Sequence, residues 1–363
     1  MRIIATGFQL LMKFFRLLVF FSSIAVCLAG EPPGQTQLSE AEQKWRGELA
    51  SRVQSSQSKN AAGLAGTDGW LFLAAELRFL SLGRFWGDEA AKVSRSHKPD
   101  QADPVPAIVN FQKQLKARGI DLLVVPVPPK AAIYPEKLLP DFKTGSDDAA
   151  PVLDKFYEDL RVAGIDVLDL TPLFLKSRDD KRGPVFCKTD SHWSGFGCTL
   201  AAQAIAESVR GKLPASGSGR EYVSEWKETE INGDLVTLLP PGSTKPGPEK
   251  IAVRSVREKG SGAAVQPDRN SPVLLLGDSH TLVFHDFLAE RAGLVDQFAQ
   301  ELGFAPDLIG TRGSGATPVR LSLYRHSLKN PDYLTKKRVV VWCFAARDFT
   351  EATEGWAKLP VAK

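Results

Sequence analysis

The sequence predicts an α/β fold, a mostly parallel sheet with helices on both faces. Two observations carry this. Apolar runs of strand length, GIDLLVVPVPP (119–129), VLLL (273–276) and RVVVWCFAA (338–346), are too continuous for half-exposed strands and suit strands buried on both faces. They also alternate with helix-period segments, and that alternation implies parallel strands joined by crossover helices.

The chain has 363 residues, 43% of them hydrophobic and 24% charged, an ordinary globular composition. Arg2, Lys13 and Arg16 account for most of the net charge of +4, and the first 30 residues contain no acid. The rest of the chain is near neutral and has no long basic run, which excludes a nucleic-acid-binding surface built on charge. Leu17 to Ala29 is a stretch of 13 uncharged residues. That suits a secretory leader and is short for a membrane span of about 20 residues. Residues 1–30 therefore read as a signal peptide or as an uncleaved N-terminal anchor, and Cys27 lacks the small preceding residue of a lipoprotein site. Either reading sends the body to an oxidising compartment.

Residues 31–63 are polar and form a loose or helical lead-in. GTDGWLFLAAELRFL (66–80) opens the folded body, expected over 64–355, with 356–363 as a tail. AIVNFQKQLKAR (107–118) places Ile108, Phe111 and Leu115 on one helix face, and the first long strand follows. A helix over about 150–163 and a short strand, GIDVLDL, come next. CTLAAQAIAESVRGKL is another amphipathic helix, and VLLLG leads into TLVFHDFLAER, which reads as a helix. DLIGTRGSG and RVVVWCFAARDF complete the pattern. Residues 212–270 break it with PASGSG and PPGSTKPGPEK, and read as a loop-rich insertion.

Chemistry concentrates in two stretches. In KTDSHWSGFG (188–197), Asp190 lies two residues before His192, close enough to orient an imidazole. In LLLGDSHT (274–281), Ser279 follows a buried strand through a glycine turn and opens a helix-like segment. Strand ends of this kind line the ligand crevice of α/β sheets, and free N–H groups there stabilise an oxyanion. Ser279 is the expected nucleophile, His192 the base and Asp190 its orienting carboxylate. His280 and His285 are rival bases. The tripeptide Asp-Ser-His occurs twice, at 190–192 and 278–280, which raises a divalent-metal alternative. That alternative leaves the glycine turn unused, and neither metal nor cofactor is expected. Cys187 and Cys198 bracket the Asp190–His192 stretch, either as a disulfide that pins it or, with Cys343, as buried thiols.

With these residues in place the chain resembles the SGNH-like polysaccharide O-acetyltransferases of the alginate AlgJ/AlgX type. The blocks that carry the likeness are GTDGWLFL, VVPVPPKAAIYPEKL, TDSHWSGFG, INGDLVTLL, LLLGDSHT and VVVWCFAARDF, in family order. The resemblance implies an SGNH-hydrolase-like (flavodoxin-like) three-layer fold with Asp190, His192 and Ser279 as its triad. It implies an extracytoplasmic enzyme, in the periplasm or at the outer face of the inner membrane, that moves acetyl from a donor onto sugar hydroxyls. The partners it implies are a polysaccharide acceptor, a membrane-bound O-acyltransferase that supplies acetyl, and other polysaccharide export proteins. The layout is closer to AlgJ than to AlgX with its carbohydrate-binding module. The alternatives are an acetyl esterase with the same triad and a non-catalytic polysaccharide-binding subunit.

The GxN block of many SGNH esterases is not evident, so the second oxyanion donor is sought elsewhere. Gly313 and Gly315 of TRGSGA, Tyr324 and Arg347 are candidates. Lys130 and Tyr134 follow the first strand at the same sheet edge and are candidates for substrate contact or for capping. Trp193 is expected either to stack on a sugar ring or to wall the pocket.

Overall fold

The structure, a computed structural model, describes residues 39–142, 149–213 and 220–362. The apolar lead of residues 1–30 lies outside them, and no helix among the described residues is long and apolar enough to cross a membrane.

A short antiparallel pair, β1 (Gly63–Ala65) and β2 (Leu71–Leu73), precedes the central sheet. The strands of that sheet are β3 (Asp121–Val127), β4 (Asp166–Val167), β7 (Val273–Gly277), β8 (Asp307–Gly310) and β9 (Val339–Ala345). Their order across it is β4-β3-β9-β7-β8, and every pairing is parallel. The last strand in sequence thus lies in the middle, between β3 and β7. Every residue of β7 and β9 is buried, which requires cover on both faces of the sheet centre. Helices Pro104–Lys116, Pro151–Val162 and Gly195–Arg210 form where the apolar periodicity places them. Asp103 caps the first through the Val105 N–H, with proline in its first turn, and Ser194 caps the third through the Gly197 N–H.

Three expectations change, and one open alternative is decided. The polar lead-in, expected to be loose or helical, contains a 19-residue helix, α1 (Glu40–Ser58), that buries Trp45, Leu49, Val53 and Ser56 as one stripe. Three apolar residues at helical spacing suffice for packing, although the other faces are polar. The insertion is not only loops. Residues Tyr222–Ile231 (β5) and Glu249–Glu258 (β6) pair as an antiparallel ribbon of ten residues on each strand. The TLVFHDF segment is not a helix: after a single 3₁₀ turn, Ser279–Thr281, the chain folds back on itself, and a helix starts only at Leu294. Phe284, Leu288 and Arg291 adopt left-handed backbone with φ of 65°, 64° and 60°, which a helix excludes. Lastly, the expected tail is packed. Trp356 is buried against Phe349, and Gln114 bonds the Leu359 carbonyl and the Val361 N–H.

Trp45 anchors α1: its ring is buried and its Nε1–H donates to the Ala149 carbonyl at 3.0 Å. Trp45→Ala is expected to cost about 3–5 kcal/mol of stability, as large-to-small core changes do. Denaturant unfolding measures it; a cost near zero would mean that α1 is dispensable to the body.

Candidate active site

Gly277 ends β7. A Cβ there would stand 1.9 Å from the Cys343 carbonyl oxygen, so only glycine lets the chain leave the sheet along this path. The next residue, Asp278, is fully buried and fixes the turn. One carboxylate oxygen accepts the His280 N–H at 2.9 Å, and the other accepts the Ala345 N–H at the end of β9 at 2.7 Å. Burial alone would raise the Asp278 carboxyl, but His280, Arg347 and the Ala345 N–H hold it below its ordinary value. Ser279 therefore sits at the carboxyl end of β7, only partly covered. No described acceptor takes its backbone N–H.

The stretch from Lys188 to His192 forms neither helix nor strand, and polar contacts to three distant charged groups give it shape. The Lys130 ammonium donates to the carbonyls of Leu71 (2.9 Å), Lys188 (3.4 Å) and Asp190 (2.6 Å). The Glu249 carboxylate accepts both the Lys188 and Thr189 N–H and the Thr189 hydroxyl, each at 2.8 Å. The Asp234 carboxylate accepts the Ser191 N–H at 2.7 Å and the Ser191 hydroxyl at 2.6 Å.

On this support Asp190 accepts the His192 Nδ1–H at 2.6 Å, and His192 Nε2 lies 2.7 Å from Ser279 Oγ. The second Asp190 oxygen accepts the Asp234 N–H at 2.9 Å. Burial pushes the Asp190 carboxyl up, yet His192 and the two N–H donors outweigh it and bring the carboxyl down to about 2. Ionised Asp190 fixes the imidazole with Nδ1 protonated, which leaves Nε2 to accept the Ser279 proton. The residues singled out in the two sequence stretches thus meet in one hydrogen-bonded series.

The rival bases have other partners. His280 is buried, packs 4.8 Å from the His192 ring and edge-on to Trp193, and burial lowers its pKa. His285 bonds Asp296 at 2.9 Å. The two Asp-Ser-His tripeptides do not converge as a ligand set. Among the described residues the three-ligand group is Asp190, His192 and Asp234, whose carboxylates already accept N–H and O–H donors.

The structure decides several open alternatives and corrects other candidates. Cys187 and Cys198 are free and buried. The Cys187 thiol points to the Trp193 carbonyl at 3.5 Å, and Cys198 lies on the Gly195–Arg210 helix near Asp296 and Arg254, so the loop is held by ions and not by a disulfide. Trp193 is fully buried and cannot receive a sugar; its ring packs edge-on against His280. Lys130 is fully buried and spends its three donors on carbonyls. The Tyr134 hydroxyl donates to the Arg178 carbonyl and accepts the Val185 N–H. Arg347 pairs with Glu76 at 3.0 Å. The Gly315 N–H is taken by Asp348 at 2.7 Å, so it is not free for an oxyanion. Tyr324 is half-buried on the helix Thr317–Lys329, and no hydrogen bond joins it to the series among the described residues. Gly313 remains: it is exposed, with φ of 107°, in a loop whose Thr311 N–H bonds the Gly277 carbonyl at 3.0 Å.

Sequence reasoning missed Asp234, Glu249, Glu76, Phe287 and Arg312. The block INGDLVTLL pointed to Asp234 without giving its task. Nothing local marked the others, because each acts on residues far away in the chain.

A parallel α/β domain with a serine at a strand end, bonded to a histidine that in turn bonds an aspartate, is an arrangement shared by several classes of serine acyl-transfer protein, the SGNH class among them. The chain belongs to the family described as SGNH hydrolase-like domain, acetyltransferase AlgX, whose profile matches residues 64–344. It is 28% identical over 235 residues to the probable alginate O-acetylase AlgJ of Pseudomonas aeruginosa, a match covering 60% of this chain and 54% of that protein. It is 25% identical over 249 residues to the alginate biosynthesis protein AlgX of the same organism, covering 65% and 48%. The chain thus spans about half the length of these two relatives. Among solved structures, the O-acetyltransferase domain of Pseudomonas putida AlgJ superposes with a TM-score of 0.59 at 23% identity, covering 80% of this chain and 92% of that one. Pseudomonas aeruginosa AlgX gives 0.56 at 18% identity, covering 86% and 68%. These two likenesses speak to the fold.

Lys130→Met would leave three carbonyls without their donor, at a cost of about 3 kcal/mol or more. We expect a lower melting temperature together with loss of activity; a fully active, equally stable variant would remove Lys130 from the support of the loop. Peptide mapping under non-reducing, denaturing conditions is expected to find Cys187 and Cys198 both alkylated, and a Cys187–Cys198 crosslink would contradict the free thiols.

Proposed function

We propose that this protein transfers acetyl groups onto hydroxyls of an exported polysaccharide through an acetyl-serine on Ser279. The observation that carries the reading is the unbroken series Asp190–His192–Ser279, with contacts of 2.6 and 2.7 Å, in a chain of this acetyltransferase family.

In the first half-reaction Ser279 Oγ attacks the donor's acetyl carbonyl as His192 Nε2 takes its proton, and ionised Asp190 stabilises the imidazolium. The tetrahedral oxyanion meets the free Ser279 N–H, with the Gly313 N–H as second donor; one such donor is worth roughly 10²–10³ in rate. The C–O bond to the leaving group breaks, and His192 returns the proton to that group. In the second half a sugar hydroxyl gives its proton to His192 and attacks the acetyl carbonyl; the bond from that carbon to Ser279 Oγ breaks, and His192 returns the proton to Oγ. Splitting the transfer this way replaces one difficult step by two easier ones. The relatives named alginate O-acetylases support a polysaccharide acceptor of the alginate kind. A membrane-bound O-acyltransferase is the matching source of acetyl, alongside other export proteins. The basic, apolar lead of residues 1–30 supports a site on the extracytoplasmic face, reached with a cleaved signal or an anchor.

The test is incubation with an acetyl ester and oligosaccharides, read by mass spectrometry. Acetylated sugar is expected from the native protein, with a loss of roughly a thousandfold or more in Ser279→Ala. The variant should melt like the parent. Free acetate without acetylated sugar would make the protein an esterase, and transfer persisting in Ser279→Ala would end the acyl-serine mechanism.

A further inference from the structure

The contacts that begin at Asp190 continue past His192 on its solvent side. The Phe287 ring stands edge-on to the His192 ring, with centroids 5.6 Å apart and planes at 72°. The Arg312 guanidinium lies over the Phe287 ring, 4.6 Å from its centroid. One aromatic ring therefore separates a cation from the base.

Both residues sit on backbone that is tied to the segments around the nucleophile. Arg312 directly follows Thr311, whose N–H bonds the carbonyl of Gly277 at the end of the Ser279 strand. Phe287 rides on the fold-back after Ser279. Its carbonyl accepts the Phe284 N–H at 2.8 Å, and the Phe284 carbonyl accepts the Ala292 N–H at 2.9 Å. The three left-handed, non-glycine residues of that fold-back cost about 1–3 kcal/mol each and persist only where surrounding structure over-determines them.

Arg312 is exposed, and among the described residues no carboxylate pairs with it and no acceptor takes its N–H groups. Contact with the Phe287 ring holds the guanidinium beside the base and leaves its N–H donors open. A planar anion that accepts two parallel N–H bonds is the partner that matches this fork. The chain outside the N-terminal lead is near neutral, so preference for an acidic acceptor has to come from a local cation of this kind.

We propose that Arg312 is a specificity-determining residue that binds the carboxylate of a uronate-type sugar and so presents a hydroxyl of the acceptor to His192. For the identity of the acceptor this rests on the acetyl-transfer reading above.

The test uses the Ser279→Ala protein, in which binding is read without turnover. Calorimetric titration compares hexuronate oligosaccharides with the same oligosaccharides after reduction of their carboxyl groups. The acidic form is expected to bind about tenfold more tightly or better, the worth of hydrogen bonds to a charged group. Adding Arg312→Gln should erase the difference, and Arg312→Lys should restore only part of it, because an ammonium lacks the planar fork. In the protein with Ser279 intact, Arg312→Gln should raise KM for the acidic acceptor by the same factor relative to the reduced one. Equal binding of the two oligosaccharides, or a preference that survives Arg312→Gln, overturns the proposal. If the protein only hydrolyses acetyl esters, the transfer reading falls, and the titration still decides Arg312.

Discussion

One buried ammonium, that of Lys130, sets the position of the stretch on which the site depends. Residues 188–192 have no ladder or helix to fix them, so their backbone groups must find partners one by one. Lys130 gathers the carbonyls of Leu71, Lys188 and Asp190, while Glu249 and Asp234 take the neighbouring N–H groups. Burying a charge is costly, and burial pushes the Lys130 ammonium below its ordinary pKa. The cost is offset by full satisfaction of its donors and by Glu76, whose carboxylate lies 3.3 Å from the Lys130 backbone nitrogen. The return is positional: a base must stay within hydrogen-bond reach of the hydroxyl it activates, and small displacements lose the geometry.

The serine half of the site rests on a second buried set. Asp278 ties the Ser279 turn to the end of β9, Asp348 holds the Gly315 N–H, and Arg347 lies between them electrostatically. Burial drives the Asp348 carboxyl up to about 7, against the pull of Arg347. Gly315 has to be glycine here, because a Cβ would stand 2.4 Å from the Phe344 Cβ. Glu76 joins the two halves, since one of its oxygens accepts from Arg347 and the other from the Lys130 N–H. The early block GTDGWLFLAAEL, remote from Ser279 in sequence, therefore contributes both the Leu71 carbonyl and the Glu76 carboxylate to the site's frame.

This accounts for what the sequence left unread. Strands β3, β7 and β9 were legible because burial on both faces writes a continuous apolar run, and the helix Gly195–Arg210 because burial on one face writes a period. The ribbon was not legible. Its β5 strand, YVSEWKETEI, is mostly solvent-exposed and alternates charges instead of apolar residues. The fold-back after Ser279 was misread because Leu282, Val283 and Phe284 are all buried, an apolar density that helices also show. The roles of Trp193 and Arg347 were left open because residue type does not say which way a side chain faces.

The sequence by itself determined the α/β class, the strands that bury the core, and the three residues that form the hydrogen-bonded series. Local patterns encode these: apolar runs, a glycine that permits one turn, and an aspartate two residues before a histidine. Tertiary structure alone decided what holds that series together. Lys130, Glu249 and Asp234 act on partners 43 to 61 residues away, Glu76 on partners 54 and 271 residues away, and Arg312 reaches the site through Phe287. Long-range polar contacts satisfy backbone groups wherever folding happens to leave them bare, and no periodicity in the chain records that need.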